Sequence, residues 1–254
     1  CILISKGMNP LLTLPISFAA GVVIGILTGV IHVKLKVRDL LSGIIMMTAL
    51  YTVNLRIAGR ANLPIYNNET IFDNSFINKI IPEAFRPYQT VLVILILTLI
   101  TKYLLDAYMR TKSGFLLRAV GDNDTLVTTL GVDKGMIKII GLAIANGLVS
   151  LGGCVFAQQQ RYFDVSMGTG TVVIGLASVI IGTSLFKKIT LIRVTSSVII
   201  GSIIYKGCVA LALQIGLPST DLKLIIAILF LIILVLSMDK NKGAKIKEQG
   251  GKES

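Results

Sequence analysis

No Gly-x-x-x-x-Gly-Lys-Ser/Thr segment occurs anywhere in the 254 residues, so the chain has no loop of that kind to cradle phosphates and does not itself hydrolyse ATP. No Gly-x-Gly-x-x-Gly follows a strand either. Histidine occurs once, as His32, in a basic connection where a solvated surface role is expected. The three cysteines, Cys1, Cys154 and Cys208, offer neither disulfide nor metal spacing, and the latter two read as packing residues. Paired acids, a Ser-His arrangement and a metal cluster are all missing from the apolar segments, and we identify no catalytic residue.

Apolar residues make up 54% of the chain, gathered into seven segments at 11–31, 40–57, 89–105, 139–160, 171–186, 189–213 and 222–238. Each approaches the roughly 20 residues that a helix needs to cross about 30 Å of hydrocarbon. Helices packed in water carry a polar stripe at a period of 3.6, whereas these segments are apolar on nearly all sides. The expected architecture is therefore an all-α polytopic transmembrane helix bundle of about seven spans. It occupies residues 1–238, ahead of a disordered basic cytoplasmic tail at 239–254.

Positive charge fixes the expected orientation, because cytoplasmic connections retain Lys and Arg. Connections 32–39, 106–138 and 187–193, with the tail, hold 16 of the 25 Lys and Arg residues. The start of the chain is thus placed outside and the tail inside. The formal net charge of +12 describes an inner face beside anionic lipid and not a nucleic-acid groove. An odd number of spans, an external start and Cys1 in place of Met together suggest a chain without its natural beginning.

Gly21, Gly25 and Gly29 recur every fourth residue on the first span, exposing backbone for close helix contact, and Gly147, Gly152 and Gly153 are expected to act similarly on the fourth. The external connection 58–88 holds Pro64, Pro82 and Pro87, which exclude a long helix but leave room for a short one near 77–85. Asn68-Glu69-Thr70 matches a glycosylation acceptor, a pattern short enough to arise by chance.

Between the third and fourth spans, Asp122 or Asp124 is placed to cap a helix and Gly131 suits the left-handed residue after its end. Leu126, Val127 and Leu130 then share one face, and Asp133 offers a cap for the fourth span. The result is a short amphipathic helix across the inner surface. A helix this short gains its stability from whatever it packs on, either the bundle itself or another protein.

Arg-Ala-Val-Gly-Asp-Asn-Asp at 118–124 with Leu-Gly-Val at 130–132 resembles the coupling region of permease subunits of ABC importers. The nearest group includes the branched-chain amino-acid and ribose permeases. The Gly-rich stretch 164–182 is similar to a signature of a less characterised branch, often linked to tryptophan or other amino-acid uptake. Arg-Ile-Ala-Gly-Arg-Ala-Asn at 56–62 adds a third match, and the likeness runs from Gly7 onward. It implies a multi-pass plasma membrane protein, bacterial, that is not an enzyme. Its partners would be cytoplasmic ATP-binding subunits, an external solute-binding protein and a second permease copy, either identical or a close relative. The chain itself would carry no cofactor, ATP and Mg residing on the partner subunit.

By the same resemblance, the ATPase-coupling role falls on Arg118, Gly121, Asp122, Asn123, Asp124, Leu126, Leu130 and Gly131. The Glu-Ala-Ala core that many importers show here is absent. The transported solute is expected to be an amino acid, aromatic ones among the candidates, with sugars and nucleosides as rivals.

Polar groups inside spans are costly unless partnered, which makes Tyr51, Asn54, Asn146, Ser150, Gln158 and Lys206 the candidates for a translocation path. Helix bridging would explain Asn54 and Asn146 equally, and snorkelling would explain Lys206. Asp164, Gly168, Gly170 and Gly175 are expected to form an outer gate, the glycines permitting a bent or unwound start to the fifth span. An ion-coupled carrier would need acids at the midplane, and no Asp or Glu lies deep in a span. A scaffold or channel would leave the capped inner helix without a purpose.

Overall fold

Helices dominate because lipid offers the backbone no hydrogen-bond partner, so each crossing segment must satisfy its own N–H and C=O groups. The computed structural model describes residues 1–74, 83–129, 131–168, 171–186, 193–214, 228 and 231. Among them, five helices are long and apolar enough to cross a membrane. The chain divides into two compact units, Cys1–Met167 and Gly168–Ser254.

The first unit runs α1 (Ile2–Ser5), α2 (Pro10–Val33), α3 (Asp39–Ala58), β1 (Asn62–Pro64), a 3-10 turn (Glu83–Tyr88), α4 (Gln89–Tyr108), α5 (Lys112–Asp122), α6 (Asp124–Thr129), α7 (Lys134–Gln160) and β2 (Tyr162–Asp164). The second holds α8 (Thr171–Phe186) and α9 (Val194–Gln214). Six of the seven expected spans match these helices closely. The seventh, and the tail, lie outside the described residues except for Ile228 and Leu231, which are helical and exposed. At 16 residues, α8 is about 24 Å long, shorter than the hydrocarbon layer.

The antiparallel pair of α2 and α7 is the spine of the first unit. A Cβ on Gly21 would stand 2.4 Å from the Asn146 carbonyl oxygen, one on Gly25 2.4 Å from that of Leu142, and one on Gly29 3.0 Å from Ile139 Cα. Backbone therefore meets backbone along three turns, as the four-residue spacing predicts. Gly147 answers from α7, receiving Phe18 and Val22. Gly152 and Gly153 do not share this role, since both face open space: they stand five and six residues beyond Gly147, off the α2-facing stripe.

In the second unit the same device recurs without having been expected. Gly182 lies against the Ser197 backbone and Gly201 against those of Ser178 and Gly182, drawing α8 and α9 into contact.

The connections of the first unit sort to opposite ends, as the alternation of charge requires. At one end β1 pairs antiparallel with β2, with Asn62 opposite Asp164 and Leu63 opposite Phe163. Three-residue strands a hundred residues apart carry no local pattern, and the sequence reading missed them. Asn68 Nδ2 donates to the Ile4 carbonyl (3.1 Å), which ties α1 to this end. Thr70 is buried, so the acceptor-like Asn-Glu-Thr is part of the packing.

At the other end Val33 packs on Gly135. His32 is not solvated there: its Nδ1 lies 2.7 Å from the Val37 carbonyl, to which it donates, and 3.5 Å from Asp39, closing the α2–α3 turn.

Candidate functional site

The end opposite the strands is built by a sharp reversal after α4. Thr111 caps α5, its hydroxyl accepting from the Gly114 N–H (3.3 Å), and the Tyr108 hydroxyl bonds Ser113 Oγ (2.9 Å). Gly114 is required here, because a Cβ would stand 2.4 Å from the Tyr108 carbonyl oxygen. Folded back in this way, α5 lays Leu117 on Gly141 of α7. Its Val120 joins Val127 of α6 and Ile137 of α7 in one apolar cluster, with Leu116, Leu117, Ala119 and Val132 around it. Val127 is fully buried, at 0% exposure.

The expected short helix is present as α6, but its surroundings differ. Asp122 is the last residue of α5, not a cap; extended Asn123 (φ −154°) separates the two helices, its N–H donating to the Ala119 carbonyl (2.9 Å). Sequence reading missed α5 because Lys112-Ser113-Gly114 resembles a breaker, while only Leu116, Leu117 and Val120 hint at its apolar face.

Gly131 takes the left-handed conformation expected of it (φ 75°). The N–H groups of Gly131 and Val132 close on the carbonyls of Thr128 and Val127, which terminates α6. Asp133 caps α7 through the Gly135 N–H (2.8 Å). Arg118, Gly121, Asp122 and Asn123 are exposed. Asp124 and Leu126 belong to α6, but their side chains, like the whole of Leu130, lie outside what the structure describes.

Lys102 and Asp106 meet one turn apart near the same end of α4, Nζ to Oδ2 3.4 Å, with Asp106 buried. The pair supplies the partner that a carboxylate at this depth requires.

The path candidates of the first unit stand on two helices, α3 and α7. Tyr51 and Asn54 are both exposed on α3. Asn146 and Ser150 stand on the α7 face that meets Gly21, and Asn146 donates to the Leu142 carbonyl one turn back (2.9 Å). Lys206 is exposed on α9 of the second unit, beside Tyr205, whose fully buried hydroxyl has no hydrogen-bond partner among the described residues.

Gln158 is only 1% exposed, and its amide joins elements at the strand end. Oε1 accepts from the Ile71 N–H (3.0 Å) and Nε2 donates to Thr13 Oγ1 (3.1 Å). Around this amide, Ile71 and Phe72 pack on Leu14 of α2 and Val93 of α4. Gln89 donates to the Phe72 carbonyl (2.6 Å). Arg161 reaches both Asp73 and the Tyr66 carbonyl. Desolvation works against ionisation of Asp73, but bonds from the Thr70 hydroxyl and N–H, with Arg161, outweigh it and hold the carboxyl below its usual range.

Asp164 lies in β2, where its carboxylate accepts from the Ser166 hydroxyl and N–H, which lower its pKa. It lines an open depression of about 430 Å³ with Asn62, Tyr66, Tyr162, Ser166 and Met167. The bent or unwound start expected for the fifth span falls on an entry of which residues 169–170 lie outside the described residues. The Gly168 carbonyl accepts from Thr171 N–H and Oγ1, and α8 then runs unbroken through an exposed Gly175. Gly170 lies outside the described residues.

Known proteins resemble the chain along most of its length. Residues 1–236 match the family model described as the permease component of the branched-chain amino acid transport system. A tyrosine transport system permease protein of Clostridioides difficile (strain R20291) is 41% identical over 91% of this chain and 74% of its own. A ribose import permease protein of Escherichia coli (strain K12) is 25% identical over 69% of this chain and 53% of its own. A nucleoside ABC transporter permease protein of Lactococcus lactis is 26% identical over 71% of this chain and 60% of its own. No solved structure matches. With the apolar spans and the extent of the match together, the chain belongs to the family of branched-chain amino acid transport system permease components, multi-pass proteins of the plasma membrane.

Proposed function

We propose that this permease is the membrane subunit of an ATP-driven importer for an amino acid with an aromatic side chain. The observation that carries the reading is the 41% identity to a tyrosine transport permease over 91% of the chain, against 25–26% to the ribose and nucleoside permeases. Sugars and nucleosides are the competing substrates. An external binding protein delivers the solute, a second permease copy completes the pathway, and two ATP-binding subunits grip the cytoplasmic end.

The segment from Gly121 to Gly131 is the handle on this reading. It leaves the membrane body after α5, is capped by the Gly131 closure and, among its described side chains, is held by the buried Val127. ATP-driven approach of the two ATPase subunits displaces α6, and the α7 helix that follows it passes the motion into the spans. In the first unit, Asn146 and Ser150 on α7 and Tyr51 and Asn54 on α3 are the groups proposed to meet the solute; in the second, taken by itself, Lys206 on α9 is the candidate. Asp164 and its depression form the proposed outer surface that receives it, with Gly168, Gly170 and Gly175 following in the chain.

Uptake by vesicles carrying the permease with its ATPase and binding protein tests the reading. Labelled tyrosine should enter with ATP, excess phenylalanine should compete, and ribose and nucleosides should not. Leu126→Asp with Leu130→Asp should abolish recovery of the ATPase while the permease remains monodisperse. Uptake that persists without any ATPase would sink the proposal.

A further inference from the structure

We propose that the outward face of α5, formed by Lys112, Phe115 and Arg118, is a docking surface for the headgroups of anionic phospholipid. This goes beyond the transport reading and does not rest on it. Three observations carry it.

The first is depth. Leu117 touches Gly141, seven residues into α7, which places α5 about 10 Å along that helix from its start. From Ile139 to Ala157, α7 contains no charged residue, so Gly141 lies where hydrocarbon begins. The helix α5 is therefore held at the membrane boundary, flat against the bundle.

The second is the division of its faces. Gly114, Leu117 and Val120 point inward, while Lys112, Phe115 and Arg118 succeed one another every third residue on the opposite side, all exposed. Phe115 is 70% exposed, and it has no packing role in the apolar cluster beneath. An aromatic ring flanked by two cations, on a helix lying in the interfacial plane, matches the boundary between acyl chains and phosphates.

The third is charge. Arg110 extends the cationic row into the preceding exposed turn, and Asp122 is the single acid on the same face. Lys112, Phe115 and Arg118 precede the Gly121–Gly131 segment assigned to the ATPase, and Arg118, which the family resemblance counts with that segment, is assigned here to the bilayer. Snorkelling Lys112 and Arg118 reach phosphate oxygens while Phe115 enters the acyl border.

The chain contains no tryptophan, so Phe115→Trp introduces one fluorophore at the centre of the face. The full chain is reconstituted in equimolar phosphatidylglycerol and phosphatidylcholine, with only one of the two carrying brominated acyl chains. Brominated phosphatidylglycerol should quench the indole several-fold more than brominated phosphatidylcholine. The preference should fall about fivefold for each cation removed by Lys112→Gln and Arg118→Gln.

Native mass spectrometry of the unsubstituted chain, which should retain phosphatidylglycerol in preference to phosphatidylcholine, guards against a misfolded reporter. Equal quenching by both lipids, or none, overturns the proposal. So does an indole untouched by bromolipid that becomes shielded from aqueous iodide when the ATP-binding subunit is added, which would assign the face to that protein. Uptake and lipid preference are separate readouts, so failure of one leaves the other interpretable.

Discussion

The two ends of the first unit are held by different forces. At the strand end, Gln158, Arg161, Asn68 and Gln89 fix the 62–74 loop by directional bonds to three elements, α1, α4 and the end of α7. At the α5–α6 end the contacts are mainly apolar, and α6 meets the bundle through Val127. Hydrogen bonds specify one geometry, whereas apolar contacts allow sliding at small cost. The strand end is thus built to stay in register, and on the proposed reading the other end follows the ATPase that grips it. Between them, α2 and α7 are joined backbone to backbone, the contact through which that proposed motion would pass.

Removing that shared spine should have the largest effect. Gly25→Leu drives a side chain into the Leu142 backbone, where neither partner can rotate away. We expect a loss of about 3 kcal/mol or more, at the upper end for overpacking, seen as aggregation during size exclusion in detergent. Gly152→Leu, facing open space, should elute as the unsubstituted protein does. Equal behaviour of the two would show that α2 and α7 are not joined through this stripe.

Next in size comes a break confined to the α5–α6 end. Val127→Asp replaces about 2 kcal/mol of apolar burial with a buried charge, so α6 should leave its seat. Co-purified ATPase should drop at least about tenfold. Amide exchange at Ile71, at the other end, should not change. Faster exchange there would mean that the ends are not independent.

The converse break is Gln158→Leu, which leaves the Ile71 N–H and the Thr13 hydroxyl without their partner. The cost should be about 2 kcal/mol, read as a lowered unfolding midpoint with faster exchange at Ile71 and unaltered ATPase recovery. A midpoint equal to that of the unsubstituted protein would remove the amide from its role as a pin.

What the residues announced in advance follows the same divide. Spans were legible because lipid demands apolar side chains all round, and Gly21, Gly25 and Gly29 because a four-residue repeat selects one face. Gly131 and Asp133 were legible because a left-handed turn and a cap are local. The role of Gln158 was not: a glutamine near the end of a span reads as a pathway group until the partners from α2 and the loop, 145 and 87 residues away, are brought to it. Helix α5 stayed hidden because its start, with Gly114, owes its conformation to the end of α4 and not to its own propensity.

The smallest effect separates the ends by pH. Asp73 is the acid of the strand-end lock, held below its ordinary carboxylate range by the Thr70 bonds and Arg161 against the pull of desolvation. A depressed pKa means that the folded state favours the ionised form. Its contribution is complete above the unfolded carboxylate value near 4 and fades as pH falls through the lower, folded one. Both side chains remain partly exposed, at 40% and 39%, and solvent screening limits the gain to less than about 1 kcal/mol. Exchange at Ile71 should therefore quicken below about pH 4, relative to the intrinsic rate, while exchange at Val127 in the apolar cluster should not. Asp73→Asn should flatten that dependence and, at pH 7, reproduce the acidic rate. A pH profile unchanged by Asp73→Asn would place the acid sensitivity elsewhere and leave the strand end held by its uncharged bonds alone.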